Sequence, residues 1–235
     1  MKFSLIVPMY NEADIIESTA RTFFEYLSVN FQDFELLFVD DGSADDCGDR
    51  VRALGFPNTR VIAYRPNQGK GNAVKTGMLA ASGDLRMFLD ADLAYGTGVI
   101  ARAAELMERN PDKDLVIGSR PLHPEGYEGY TFLRKLASET YIKVLNLVGG
   151  FRLSDSQCGC KAYRGPAAEA IFSRTETKGF AFDFETILWA QKLGYGIVEM
   201  PVKIVNHRAS KVNLVRDTFQ MLGELRRIKT RVKRG

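Results

Sequence analysis

The chain has 235 residues, 45% of them hydrophobic and 26% charged, and a net charge of +3. That composition excludes disordered and collagen-like classes and suits one large α/β domain. No apolar run is long enough to span a bilayer, and the opening "MKFSLIVPMYNE" turns polar too soon for a secretory signal, so a cytoplasmic protein is expected.

Short β-branched runs alternate with helical patterns through the first half. Strands are predicted at 3–7, 36–39, 61–64, 85–89 and 115–117. Helices are predicted at 12–27, 45–54, 72–81 and 97–109. The last of these carries Ile100, Ala103 and Met107 on one face and stops at Asn110-Pro111. Such alternation implies a mostly parallel sheet covered on both faces. In the second half, 119–131 is a Gly- and Pro-rich loop, 132–148 a helix, and "DSQCGCKAYRG" reads as irregular. A helix at 183–193, one or two short strands within 197–205 and an amphipathic helix from about 213 complete the chain. No linker is visible, so a single domain over 1–235 is predicted. Cys47, Cys158 and Cys160 are odd in number, and the histidines are only His123 and His207. Reduced, buried thiols are expected, with no metal bound through them.

Ligands of open parallel sheets bind beyond the carboxyl ends of the strands. Five polar loops fall there: "PMYNE", "DDGS", "NQGKG", "DAD" and "GSR". Neither a dinucleotide fingerprint nor a P-loop is present; Val74 stands where a P-loop needs Gly before its Lys. Asp90 and Asp92 are the informative pair. Two carboxylates at one strand mouth repel, and one should rise in pKa, unless a divalent cation lies between them. Mg²⁺ or Mn²⁺ would use these oxygens and complete its shell with substrate phosphate, which points to a nucleoside diphosphate. The other reading of D-x-D is a turn with exposed acids.

Taken in order, "VPMYNE", "FVDDGS", "GKGNAVKTGM", "LDAD", "GSR", "RKLAS", "DSQCGCKAY", "FAFDFE" and "ASK" resemble the family-2 glycosyltransferases of the GT-A fold. Within that family the likeness is to dolichyl-phosphate β-glucosyltransferases and dolichol-phosphate mannose synthases. The resemblance implies an α/β, Rossmann-like, mostly parallel central sheet with helices on both faces. It implies an inverting, Mg²⁺- or Mn²⁺-dependent transfer of a hexose, glucose first, from UDP-glucose to a polyprenyl or dolichyl phosphate. Alternatives are mannose from GDP-mannose, or a non-catalytic module that binds a nucleotide sugar or a lipid phosphate.

By the same resemblance, 1–118 is the nucleotide-sugar half, 119–212 the acceptor half and 213–235 a basic amphipathic helix. Pro8, Tyr10, Asn11 and Glu12 line the base and ribose pocket, with Asp41 or Asp40 accepting hydrogen bonds there. Gly69, Lys70, Asp90 and Ala91 lie by the donor, and Asp90 and Asp92 hold the metal. Mannose synthases often carry Gln where this chain has Ala94, which weakens a mannose assignment. Arg120, Arg134, Ser138, His207, Arg208, Ser210 and Lys211 would bind the acceptor phosphate; Asp92, Arg120 and Arg134 are the catalytic candidates. Asp155, Gln157, Asp183 and Glu185 would shape the sugar pocket. A phosphate monoester is already anionic at neutral pH, so no essential general base is expected. The last helix places Leu214, Thr218, Met221, Leu222, Leu225 and Ile228 at helical spacing and ends in "RRIKTRVKR". Two readings remain for it: a peripheral anchor on anionic lipid, or a core-packed helix with a solvated tail. No nucleic-acid partner is expected.

Overall fold

The computed structural model describes residues 1–206 and 214–235, with side chains for all of these except 134 and 214–222. Seven strands form one sheet: β1 (Phe3–Met9), β2 (Phe34–Asp40), β3 (Thr59–Ala63), β4 (Leu85–Leu89), β5 (Leu115–Ser119), β6 (Cys160–Arg164) and β7 (Ile197–Pro201). Their order is β3-β2-β1-β4-β6-β5-β7. All neighbours run parallel except β6, which is antiparallel to both β4 and β5.

Alternate strand residues feed two cores, as the period-2 geometry of a strand requires. Leu5, Val7, Leu36, Phe38 and Met87 pack with helices α1 (Ile16–Asn30), α2 (Cys47–Ala53) and α4 (Gly98–Arg109). Ile6, Leu37, Val39 and Phe88 face the other layer. That layer holds α3 (Lys70–Ala80), α5 (Phe132–Gly149), α6 (Gly165–Phe172), α7 (Phe182–Lys192) and α8 (Leu214–Arg234). Burial on both faces explains why the strands read as continuous apolar runs. The three cysteines are free and buried. No described helix is long and apolar enough to cross a membrane.

The stretch expected to be irregular differs most. It contains β6, inserted between β4 and β5, followed directly by α6. Lys161 disguised the strand: a lysine at the second position of a five-residue run argues against a buried position. The lysine is fully buried because its ammonium donates to Asp183 Oδ1 at 2.5 Å and to the Cys158 carbonyl at 2.7 Å. Helix α1 begins four residues later than predicted, and its N-cap residue Ile15 makes no side-chain cap. At the other end of the chain, Leu225, Ile228 and Val232 of α8 are buried in the core. The apolar positions expected to meet lipid are to that extent spent on packing. The side chains of Leu214, Thr218, Met221 and Leu222 lie outside the described set.

Glu35 ties β2 to the turn before β4. Its carboxylate accepts from Ser4 Oγ at 2.7 Å and from Ser82 N at 2.6 Å. Burial alone would raise its pKa, but the Ser82 and Ser4 hydrogen bonds win and hold it below the ordinary glutamate value of 4.5. A depressed carboxyl stabilises the fold above its unfolded pKa and loses that contribution as pH falls through its folded value. Glu35→Gln should therefore lower stability by on the order of 1 kcal/mol at neutral pH. The gap should close in urea melts run below about pH 4; an equal gap at all pH values would contradict the assignment.

Candidate active site

The loops beyond β1, β2 and β3 are laced together by short polar side chains. Asn11 adopts a φ of 53°, tolerable for asparagine, and receives the Ala44 N–H on Oδ1 at 2.7 Å. Its own N–H donates to Ser43 Oγ at 3.0 Å. Pro8 is buried beneath this turn, while Tyr10 is 44% exposed and Glu12 half-buried. Asp41 accepts from Asn67 Nδ2, Gln68 N and Gly69 N at 2.8–2.9 Å. Its carboxylate is thereby committed to holding the β3–α3 loop. Gly42, at φ 75°, permits that approach: a Cβ there would lie 2.6 Å from Asn67 N.

Asp40 is placed differently. One oxygen accepts from Ser43 N at 2.9 Å, and the residue borders a cavity of about 300 Å³ shared with Asp45, Asp49, Arg52, Tyr64 and Arg65. That volume is at the small end of ligand sites. Of the two neighbouring aspartates, Asp40 faces open space and Asp41 faces the protein.

The loop held by Asp41 delivers Gly69 and Lys70 to the mouth of β4. Both Gly69 and Gly71 press on the 177–179 backbone; a Cβ on either would lie 2.6 Å from a carbonyl oxygen. Lys70 Nζ sits 2.5 Å from Asp90 Oδ1. Burial pulls its pKa down, but Asp90 more than offsets this, and the ammonium is held above the ordinary lysine value. Asp92 accepts from Ala94 N at 3.0 Å, and its backbone carbonyl accepts from Asn206 Nδ2 at 2.7 Å. Burial, followed by the Asp90 charge, pushes the Asp92 carboxyl above the ordinary aspartate value. The second of these causes is the repulsion that the D-x-D spacing implies. Ala91 is buried between them, its carbonyl accepting from Thr19 Oγ1.

Antiparallel β6 brings the residues before it to the same end of the sheet. Cys160 pairs with Leu89, so Gly159 lies directly under Asp90, and a Cβ on it would overlap the carboxylate. Asp183, at the start of α7, is raised by burial, lowered in part by Lys161 and Lys70, and raised by Asp90, with a net upward shift. It belongs to the Asp90 cluster through the charges of Lys70 and Asp90. Glu185 does not join it. That carboxylate accepts from Thr177 N at 2.7 Å and Arg231 Nε at 3.0 Å, tying α7 to α8 and to the loop behind Lys70.

Beyond β5, Arg120 and Asp155 form a bidentate pair: Nε to Oδ2 at 2.6 Å and Nη2 to Oδ1 at 3.0 Å. Both are buried, and Gln157 N also donates to Asp155 at 3.0 Å. Residues assigned separately to phosphate and to sugar thus make one ion pair. Arg120 Nη1 continues to the Tyr130 hydroxyl at 3.1 Å, and the guanidinium lies over the Tyr127 ring. Ser138 is half-buried on α5, one turn beyond Arg134. The Arg134 side chain and His207, Arg208, Ser210 and Lys211 lie outside the described residues. Sequence reasoning missed Lys161, Gly159 and Tyr130. Only Lys161 carried a signal, as a charge within an otherwise apolar run.

A mostly parallel sheet with a cavity of about 300 Å³ beyond β2, and with paired carboxylates and a lysine beyond β4, has the architecture of the GT-A fold. Residues 4–172 match glycosyl transferase family 2, and the chain belongs to that family. It is 30% identical to glycosyltransferase AglD of Haloferax volcanii over 97% of this chain, yet spans only 37% of that protein's length. It is 29% identical to the dolichyl-phosphate beta-glucosyltransferase of Dictyostelium discoideum, covering 99% of this chain and 75% of the relative. Against the Saccharomyces cerevisiae enzyme of the same name the identity is 26%, over 94% and 72%. Glucosyl-3-phosphoglycerate synthase from Mycobacterium tuberculosis shares the fold, with a TM-score of 0.72 at 21% identity. That structure, in complex with Mn²⁺, UDP-glucose and phosphoglyceric acid, is matched over 95% of this chain and 79% of its own.

Proposed function

We propose that this protein transfers a hexose, glucose first, from UDP-glucose to a polyprenyl or dolichyl phosphate, inverting the anomeric carbon and depending on Mg²⁺ or Mn²⁺. The observation that carries the reading is the Asp90–Asp92 pair at the mouth of β4, with Lys70 beside it. The names of the yeast and Dictyostelium relatives support glucose and dolichyl phosphate.

The donor set fits a hard divalent cation: two carboxylates, one of them raised by burial and then by the other's charge. When bound, such an ion supplies charge stabilisation to the departing nucleoside diphosphate. Asp90 and Asp92 would hold it, and Lys70 would balance charge on the same diphosphate. Asp40, Tyr10 and Glu12 would receive the nucleoside, with Pro8, Asn11, Asp41 and Gly69 shaping the loops around it.

The acceptor would be oriented by Arg120, Arg134 and Ser138, with His207, Arg208, Ser210 and Lys211 closing over it. Asp155, Gln157 and Asp183 would border the sugar. Asp183 is bound to Lys161, which agrees with an acceptor that needs no general base. On this reading 1–118 serves the donor, 119–212 the acceptor, and the chain works as one domain at the cytoplasmic membrane face. Phe132 and Leu133, at the start of α5, are 78% and 75% exposed beside Arg134, as a lipid-tailed substrate would favour. The basic residues of 226–234 add attraction to anionic lipid.

The test incubates the purified chain with UDP-glucose or GDP-mannose, a short polyprenyl phosphate and Mn²⁺ or Mg²⁺. A glucosylated lipid should form from UDP-glucose and vanish in excess EDTA. Full-rate product in chelator would refute the metal assignment, and mannose transfer alone would refute the donor.

A further inference from the structure

A second concavity, of about 810 Å³, opens between α8, α7 and the connection from α6 to α7. None of its lining residues comes from the loops beyond β1 to β5. Five guanidinium groups stand on its wall, those of Arg174, Arg226, Arg227, Arg231 and Arg234, against one acidic side chain, that of Glu176. Arg231 is committed to Glu185 and Glu176. Arg174 donates to the Ala170 carbonyl through Nη1 at 2.7 Å and closes the end of α6. Among the described residues, Arg174, Arg226, Arg227 and Arg234 have no carboxylate within ion-pair reach.

A basic last turn answers the helix dipole, which accounts for Arg234. It does not account for Arg226 and Arg227, about two turns earlier and on the same concavity. Like charges gathered in one concavity repel unless an anion joins them. Trp189 lines the same cavity and is only 4% exposed, so its ring lies beside the arginines.

We propose that this cavity binds a phosphate-bearing anion at a site separate from the transfer site. Arg226, Arg227 and Arg234 would supply the charge. The guanidinium fork matches phosphate oxygens, and an anion there would satisfy the uncompensated cations. Two sources share this chemistry: the headgroup of an anionic phospholipid, and a soluble phosphate.

Trp189 is the only tryptophan in the chain, so its fluorescence reports on the site directly. The full chain is titrated, in EDTA, with inorganic pyrophosphate, with phosphatidylcholine vesicles and with the same vesicles containing phosphatidylglycerol. A saturable change in emission with pyrophosphate assigns a soluble phosphate. A change with phosphatidylglycerol vesicles alone assigns a lipid headgroup. In Arg226→Gln/Arg227→Gln, both exposed positions, the responding titration should shift to weaker binding by about tenfold or more while circular dichroism and melting stay parental. No emission change with any probe overturns the proposal, as does a response of the same midpoint in the double variant.

Discussion

Asp92→Asn is expected to cut kcat/KM for sugar transfer by about three orders of magnitude without destabilising the fold. Asparagine keeps an oxygen for the Ala94 N–H, so the turn after β4 retains its shape. What disappears is one of the two carboxylates that, on the proposed reading, would hold the metal. Asp92 is raised by burial and by Asp90, so its ionised form is disfavoured in the native state. A carboxyl whose folded pKa is raised contributes stability below its unfolded pKa and loses it as pH rises through the folded value. Removing the charge should leave the neutral-pH melting midpoint equal or slightly higher, with the difference fading in acid. Mn²⁺ binding, followed by calorimetry in the presence of UDP, should weaken in parallel with turnover. Parental kcat/KM in this variant would sink the metal assignment.

Gly159→Ala should reduce transfer by about a hundredfold through displacement of Asp90 rather than through unfolding. A Cβ at 159 would overlap the Asp90 carboxylate, and that group is the free end of a rotatable side chain. It can swing away at little cost to the fold. Doing so breaks its 2.5 Å pair with Lys70 and removes a carboxylate from the proposed metal site. Gly98→Ala is the control: nothing lies within 4 Å of its Cβ position, and it opens helix α4. It should retain parental activity and gain a few tenths of a kcal/mol to about 1 kcal/mol of stability. If Gly159→Ala turned over at the parental rate, Asp90 would have no role at the position described.

The β4 mouth was legible because its signal is local. "MFLDAD" shows a buried strand running into two acids, and charge repulsion between near neighbours needs no tertiary information. Lys70 was legible from its flanking glycines, which mark a close backbone approach later found against the 177–179 segment. The choice between Asp40 and Asp41 was not legible. Both follow β2, and only the position of the β3–α3 loop decides which carboxylate is consumed by backbone N–H groups. Glu185 looked like a pocket acid beside Asp183. The helical turn between them sends one toward Lys161 and the other toward Arg231, 46 residues further along the chain.

What the sequence determined by itself was the alternating α/β pattern, the parallel strands and the polar loops at their ends, since periodicity and strand-end chemistry act within a few residues. Only the tertiary structure decided that β6 enters the sheet antiparallel, placing Gly159 under Asp90 and Asp155 against Arg120. It also decided that the apolar side of α8 goes to the core at Leu225, Ile228 and Val232. The physical reason is common to these cases. A buried lysine, a bidentate ion pair or an apolar helix face is stable only with a particular partner, and that partner lies tens of residues away, beyond the reach of any local pattern.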